Sequence, residues 1–123
     1  MYVNMGVQRK IIFYRTASGQ NPVEDFLDQL PPKTAQKVTW VLQLIEYLNK
    51  VPSKYFKKLV NTEDLWEVRA SAGSNIFRLI GFFDGPKIVV VAHGFQKKTQ
   101  KTPKRAIQIA HERKREYFRR KTK

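Results

Sequence analysis

The chain predicts an α+β fold, and three observations carry that expectation. A strand signal near the start is followed by two helical stretches, three strand-like segments crowd between residues 65 and 95, and a proline at 103 opens a last helical run. With helices grouped and strands grouped, the helical pair is expected to cover one face of a small, mainly antiparallel sheet. The other face is then left free for function.

Residues 8–15 alternate around Ile11 and Phe13 and are rich in β-formers, which predicts the first strand, closed by a turn through Ser18, Gly19 and Gln20. Asn21 precedes Pro22, with Glu24 three positions on, the pattern of a capped helix start; a short helix to about Leu30 is expected. Pro31 and Pro32 stop it and start another, in which Ala35, Val38, Val41, Leu42, Ile45 and Leu48 recur at helical spacing to about Lys50. Residues 51–63 hold Pro52, no sustained period and the cluster Lys54, Lys57, Lys58, and are expected to be a connection. Strands follow at 65–71, 76–84 and 87–95, separated by Ala72-Gly73-Ser74 and Asp84-Gly85-Pro86, both turn sequences for antiparallel neighbours. From Pro103 the final helix aligns Ala106, Ala110, Arg113 and Tyr117 along one stripe.

At 123 residues and 41% hydrophobic content, the chain is expected to be one domain, 1–123, with a basic C-terminal helix and tail from about 103. No Cys is present, which excludes disulfides and thiolate metal sites. The two histidines lie too far apart for a local metal motif, so neither a metal nor another cofactor is expected. With no apolar run near the roughly 20 residues that span a bilayer and no apolar leader core, a cytoplasmic protein without a membrane partner is expected. Lys+Arg 24 against Asp+Glu 10 gives a net charge of +14, a field that attracts phosphates before any specific contact forms.

That charge is focused where a strand empties into lysines, in IVVVAHGFQKKTQKTP at 88–103. Because strand side chains alternate, Glu67 and Arg69 share a face with Leu65 and Ser71, opposite Trp66, Val68 and Ala70. Arg78 is flanked on its own face by Ile76 and Ile80, an unusual setting for a guanidinium without an anionic partner. If the hairpins are tight, Glu67, Arg69, Arg78, Lys97 and Lys98 meet across one sheet face. Such a set can bind a phosphate bidentately and stabilise a pentacoordinate transition state, although Arg69 and Arg78 also suit cross-strand ion pairs and the lysines suit a solvated loop. His93, set among Val89, Val91 and Phe95, reads either as a general base or as a core histidine. Phe95 and Phe77 read either as stacking platforms for a splayed base or as core, and Trp66 and Phe82, both on the inferred inward face, as core.

The segments NPVEDFLDQLP, LWEVRAS, NIFRLIGFFD and HGFQKKTQKTP, in this order over nearly the whole chain, resemble the HigB branch of the RelE superfamily, which includes phage-derived members. The resemblance implies a RelE-like, microbial-ribonuclease-type fold: a twisted sheet with two N-terminal helices on one face and a C-terminal helix. It implies a toxin of a toxin–antitoxin pair, an endoribonuclease that cuts mRNA on the ribosome by attack of the substrate's 2'-hydroxyl. It also implies a helix-turn-helix antitoxin of the HigA type. The positions matching the family's functional pattern are Glu67, Arg69, Arg78, Lys97 and Lys98, with Glu67 as candidate base. Lys54, Lys57, Lys58, Phe95, Lys101, Lys104 and Arg105 are the expected grip on messenger and ribosomal RNA. The best-known RelE members place lysines where Glu67 and Arg69 stand, and a tyrosine downstream where this chain reads TQKTP; both departures bear on the proton acceptor. The competing expectations are a non-catalytic nucleic-acid-binding module and an inactive, partner-binding relative.

Overall fold

The computed structural model describes residues 6–122. The elements run β1 (Lys10–Phe13), α1 (Pro22–Asp28), α2 (Pro32–Tyr47), β2 (Phe56–Lys58), β3 (Leu65–Ala72), β4 (Asn75–Asp84), β5 (Ile88–Lys97) and α3 (Lys104–Lys121). The expected α+β fold is therefore present. Local chemistry accounts for most boundaries. The Asn21 side chain accepts from the Glu24 backbone N–H at 3.1 Å, and Pro22 sits in the first turn of α1. Gly73 and Gly85 take positive φ in the two hairpin turns, the conformation those turns require.

The five strands lie in the order β1-β5-β4-β3-β2, with β1 parallel to β5 and the other neighbours antiparallel. Helices α1 and α2 pack on one face through Val23, Val38, Val41, Leu42 and Ile45, against Val68, Ala70, Phe77, Leu79, Val89 and Val91. Helix α3 packs on the other through Ala106 and Ala110, against Leu65, Ile80, Phe82, Val90 and Ala92. Phe82 is fully buried, its ring 5.5 Å from Tyr117 and 5.6 Å from Phe118. Burying a side chain of that size contributes about 1.5–3 kcal/mol, so α3 is part of the folded body.

Four expectations are corrected. The second face is not free along its length: α3 covers the part over Leu65, Ile80, Phe82 and Val90, leaving open the end that carries Arg69 and Arg78. Residues 56–58 form an edge strand inside the expected connection, paired with Trp66–Val68. Trp66 and Phe82 do not share a face; Trp66 packs with the α1/α2 core and Phe82 with the α3 core. Nor does His93 share a face with Val89 and Val91. A bulge breaks the register between Ile80 and Gly81, so that His93 lies opposite Ile80 while Val91 lies opposite Gly81. The extra residue, Ala92, reverses the alternation expected of an unbroken strand. The first strand and α2 also stop short of their expected ends, at Phe13 and Tyr47.

Candidate functional site

Strand register assembles the site. Glu67 lies opposite Ile80 and Arg69 opposite Arg78 on β3 and β4, while Arg78 lies opposite Phe95 and Ile76 opposite Lys97 on β4 and β5. Glu67, Arg69, Arg78, Phe95 and Lys97 therefore share one face, beyond the start of α3. The expected convergence occurs for Glu67, Arg69, Arg78 and Lys97, with Phe95 beside them. Lys98 follows directly after the end of β5 and is exposed.

Glu67 is the hub. Its carboxylate is nearly buried, with Oε1 at 3.5 Å from Nε of both Arg69 and Arg78, and Oε2 accepting from the Thr102 hydroxyl at 2.6 Å. Among the described residues, neither Nε finds a hydrogen-bond partner, because the ion pairs meet the distance of a salt bridge without its hydrogen-bonding geometry. Arg78 is the more deeply placed, its side chain only 9% exposed, with Nη1 donating to the Phe77 carbonyl at 3.0 Å. A buried donor left unpaired costs about 1–3 kcal/mol. The cluster thus holds cationic hydrogen-bonding capacity that the protein itself does not satisfy.

Electrostatics follow from this crowding. Burial lowers the Arg78 pKa and Arg69 adds to the lowering, while Glu67 opposes it. Burial and then Arg78 lower the pKa of Lys97, so its ammonium releases a proton more readily than a solvated lysine. His93, stacked on Phe95 at 5.7 Å, is held down to about 4 by burial and by the nearby charges of Arg113 and Arg105, and is neutral at physiological pH.

The other expected RNA contacts scatter. Lys57 is on the face of Glu67, its cross-strand partner, whereas Lys58 points to the opposite face and pairs with Asp64 at 2.8 Å. Lys54 lies over the Tyr55 ring, 4.9 Å from its centroid. Lys101 is exposed in the connection before α3, and Lys104 and Arg105 are exposed in its first turn. Phe77 is core, buried on the α1/α2 side. Sequence reasoning missed Thr102, whose only signal was its position after the lysine run, and Lys37, Trp40 and Tyr55. Those three join Lys54, Arg69 and Arg78 around a groove of about 510 Å³ at the edge of β3. Among the described residues, no group of three or more His, Cys, Asp or Glu side chains is placed to hold a metal ion.

Fold and face together define a small, strongly basic α+β protein with a buried carboxylate between two arginines, next to an open cationic groove. The family model of the phage-derived Gp49-like proteins (DUF891) matches residues 25–115, and the chain belongs to that family, a toxin-like family of the RelE type. The matched span contains Glu67, Arg69, Arg78, Lys97 and Thr102. No curated protein matches the chain. No helix among the described residues is long and apolar enough to cross a membrane.

Proposed function

We propose that the chain is the toxin of a toxin–antitoxin pair of the HigB branch, a single-domain cytoplasmic endoribonuclease that cuts mRNA on the ribosome. The observation that carries this reading is the pair of buried arginine Nε donors, both turned to one carboxylate and neither hydrogen-bonded. A scissile phosphate entering here satisfies both guanidinium forks and recovers the cost of the unpaired donors.

The reaction needs no atom beyond the RNA and these side chains. The substrate's 2'-oxygen attacks the adjacent phosphorus as its proton passes to Glu67, whose Oε1 is released when Arg69 and Arg78 turn to the phosphate. Arg69, Arg78 and Lys98 stabilise the charge on the non-bridging oxygens of the pentacoordinate state. The bond to the 5'-oxygen breaks, that oxygen takes a proton from Lys97, and the products are a 2',3'-cyclic phosphate and a free 5'-hydroxyl. The exposed Lys57, Lys101, Lys104 and Arg105 contact ribosomal RNA, and an antitoxin of the HigA helix-turn-helix type neutralises the chain.

The test is to induce the chain alone in a bacterium and map mRNA 5' ends. Cuts that require translation and vanish in Arg78→Ala are expected. Growth arrest and cuts that persist in Arg78→Ala sink the site assignment, and RNA binding without cuts reduces the chain to a binding module.

A further inference from the structure

The groove beside the arginines has an aromatic wall that the proposed chemistry leaves unused. Trp40 projects from α2 with 43% of its surface exposed and belongs to neither core cluster of the described residues. Tyr55, just before β2, meets the indole edge-on, with centroids 5.6 Å apart and planes at 89°. The planes are perpendicular, so Tyr55 is not stacked on the indole. Lys37 stands 5.6 Å from the Trp40 centroid and Lys54 4.9 Å from that of Tyr55, so both rings are flanked by cations. Strand β2 pairs with β3 across Trp66–Val68 and the Arg69 N–H still donates to the Tyr55 carbonyl at 2.8 Å, so β3 beyond Arg69 forms the groove's edge, and both arginines line it. Among the described residues, no acidic side chain lines the groove.

Rings flanked by lysines, with the Glu67 carboxylate behind the two arginines and outside the groove lining, suit a polyanion that also carries flat π-faces. That is the chemistry of single-stranded nucleic acid, in which bases stack on aromatic side chains while the backbone follows positive charge. An acidic protein chain matches the charge, but it does not carry a flat π-face at every unit beside its anions, which is what an aromatic wall next to an anion site suits. We propose that Trp40, flanked by Tyr55, is a stacking subsite for one base of a single-stranded RNA, next to the phosphate held by Arg69 and Arg78. This rests on the reading of the arginine pair as a phosphate site, and it adds a named position for the neighbouring base.

The experiment titrates the free chain with a short labelled single-stranded RNA and with an abasic strand of equal length, following anisotropy. The wild type is expected to prefer the base-bearing strand. Trp40→Ala should weaken that strand on the order of tenfold while leaving the abasic strand unchanged, and Trp40→Phe, which keeps a ring, should restore most of the loss. Equal wild-type affinity for the two strands overturns the subsite alone, as does equal loss on both strands in Trp40→Ala. Binding of neither strand overturns the subsite and the phosphate site together. If Trp40→Ala binds RNA normally but escapes the antitoxin, the groove is a protein-docking face and the subsite is refuted.

Discussion

At the scale of single residues, Glu67 is asked to do two things, and they are separable. Held at 3.5 Å from two guanidinium Nε atoms and bonded to Thr102, it orients the arginines; as a carboxylate beside the incoming phosphate, it can also receive the 2'-hydroxyl proton. Glu67→Gln keeps the shape and an acceptor oxygen but removes the base. Cleavage is expected to fall by about 10²–10⁴-fold while RNA affinity is kept, as single-turnover rates beside binding titrations would show. A variant that cleaves at close to the wild-type rate leaves Glu67 with orientation only. His93 gives a second expectation, for stability. Its folded pKa, about 4, lies below the unfolded value near 6.5, so the unfolded chain binds the extra proton between them. The stability linked to its neutral form is fully present above about pH 6.5 and is lost as pH falls toward 4. With its partial exposure discounted, urea melts at pH 7.5 and 5 should differ by about 1 kcal/mol more in the wild type than in His93→Gln.

At the scale of elements, α3 sets the limits of the site. Its stripe of Ala106, Ala110, Arg113 and Tyr117 was legible from helical spacing, but what it covers was not. Two of the four positions are alanines, too small to announce a large contact, and a third is charged. Arg113 in fact donates to the Ala92 carbonyl at 2.6 Å, holding the bulged residue of β5, and Tyr117 donates to Asp84 at 2.7 Å. The bulge was equally hidden, because nothing in VVVAHGF marks where alternation reverses; Gly81, where an added Cβ would run into the Val90 carbonyl, is its one trace. Strand β2 is three residues long and two of them are lysines, which gave no alternating apolar signal. The hairpins from β3 to β5 were legible because Gly73 and Gly85 stand at the turns, and with them came the meeting of Glu67, Arg69, Arg78 and Lys97. Trp40 escaped notice because it sits outside the stripe that defines α2, where periodicity assigns no role. The close fit of α3 is testable: Ala110, fully buried, has no room to grow, so Ala110→Leu should destabilise the fold by about 1–3 kcal/mol in denaturant melts. A neutral outcome would mean that α3 packs loosely and does not fix the border of the site.

At the scale of the molecule, the +14 charge acts in two opposed directions. Among the described residues, part of the acidic complement is engaged by the chain's own cations: Asp84 with Lys121 at 2.6 Å, Glu116 with Arg120 at 2.6 Å, Asp64 with Lys58 at 2.8 Å, and Glu67 with both site arginines. Arg119, Arg120 and Lys121 also complement the C-terminal end of the α3 dipole, so part of the basic tail serves the fold. The cations left over repel one another, and added salt relieves that repulsion; melting temperature should therefore rise with ionic strength. RNA binding should move the other way, because each phosphate contact releases counterions, with a slope of about −0.7 in log affinity against log salt per contact on a single strand. The opposite signs ensure that affinity lost at high salt is not unfolding. Geometry then separates the lysines. Lys54 lines the groove, whereas Lys58 is outside its lining and is paired with Asp64 at 2.8 Å. Over roughly 50–300 mM salt, Lys54→Ala should flatten the slope for a short RNA strand by about 0.7, and Lys58→Ala should leave it as in the wild type. Equal flattening by both would mean that the strand follows the general field of the molecule and that the groove does not select its path.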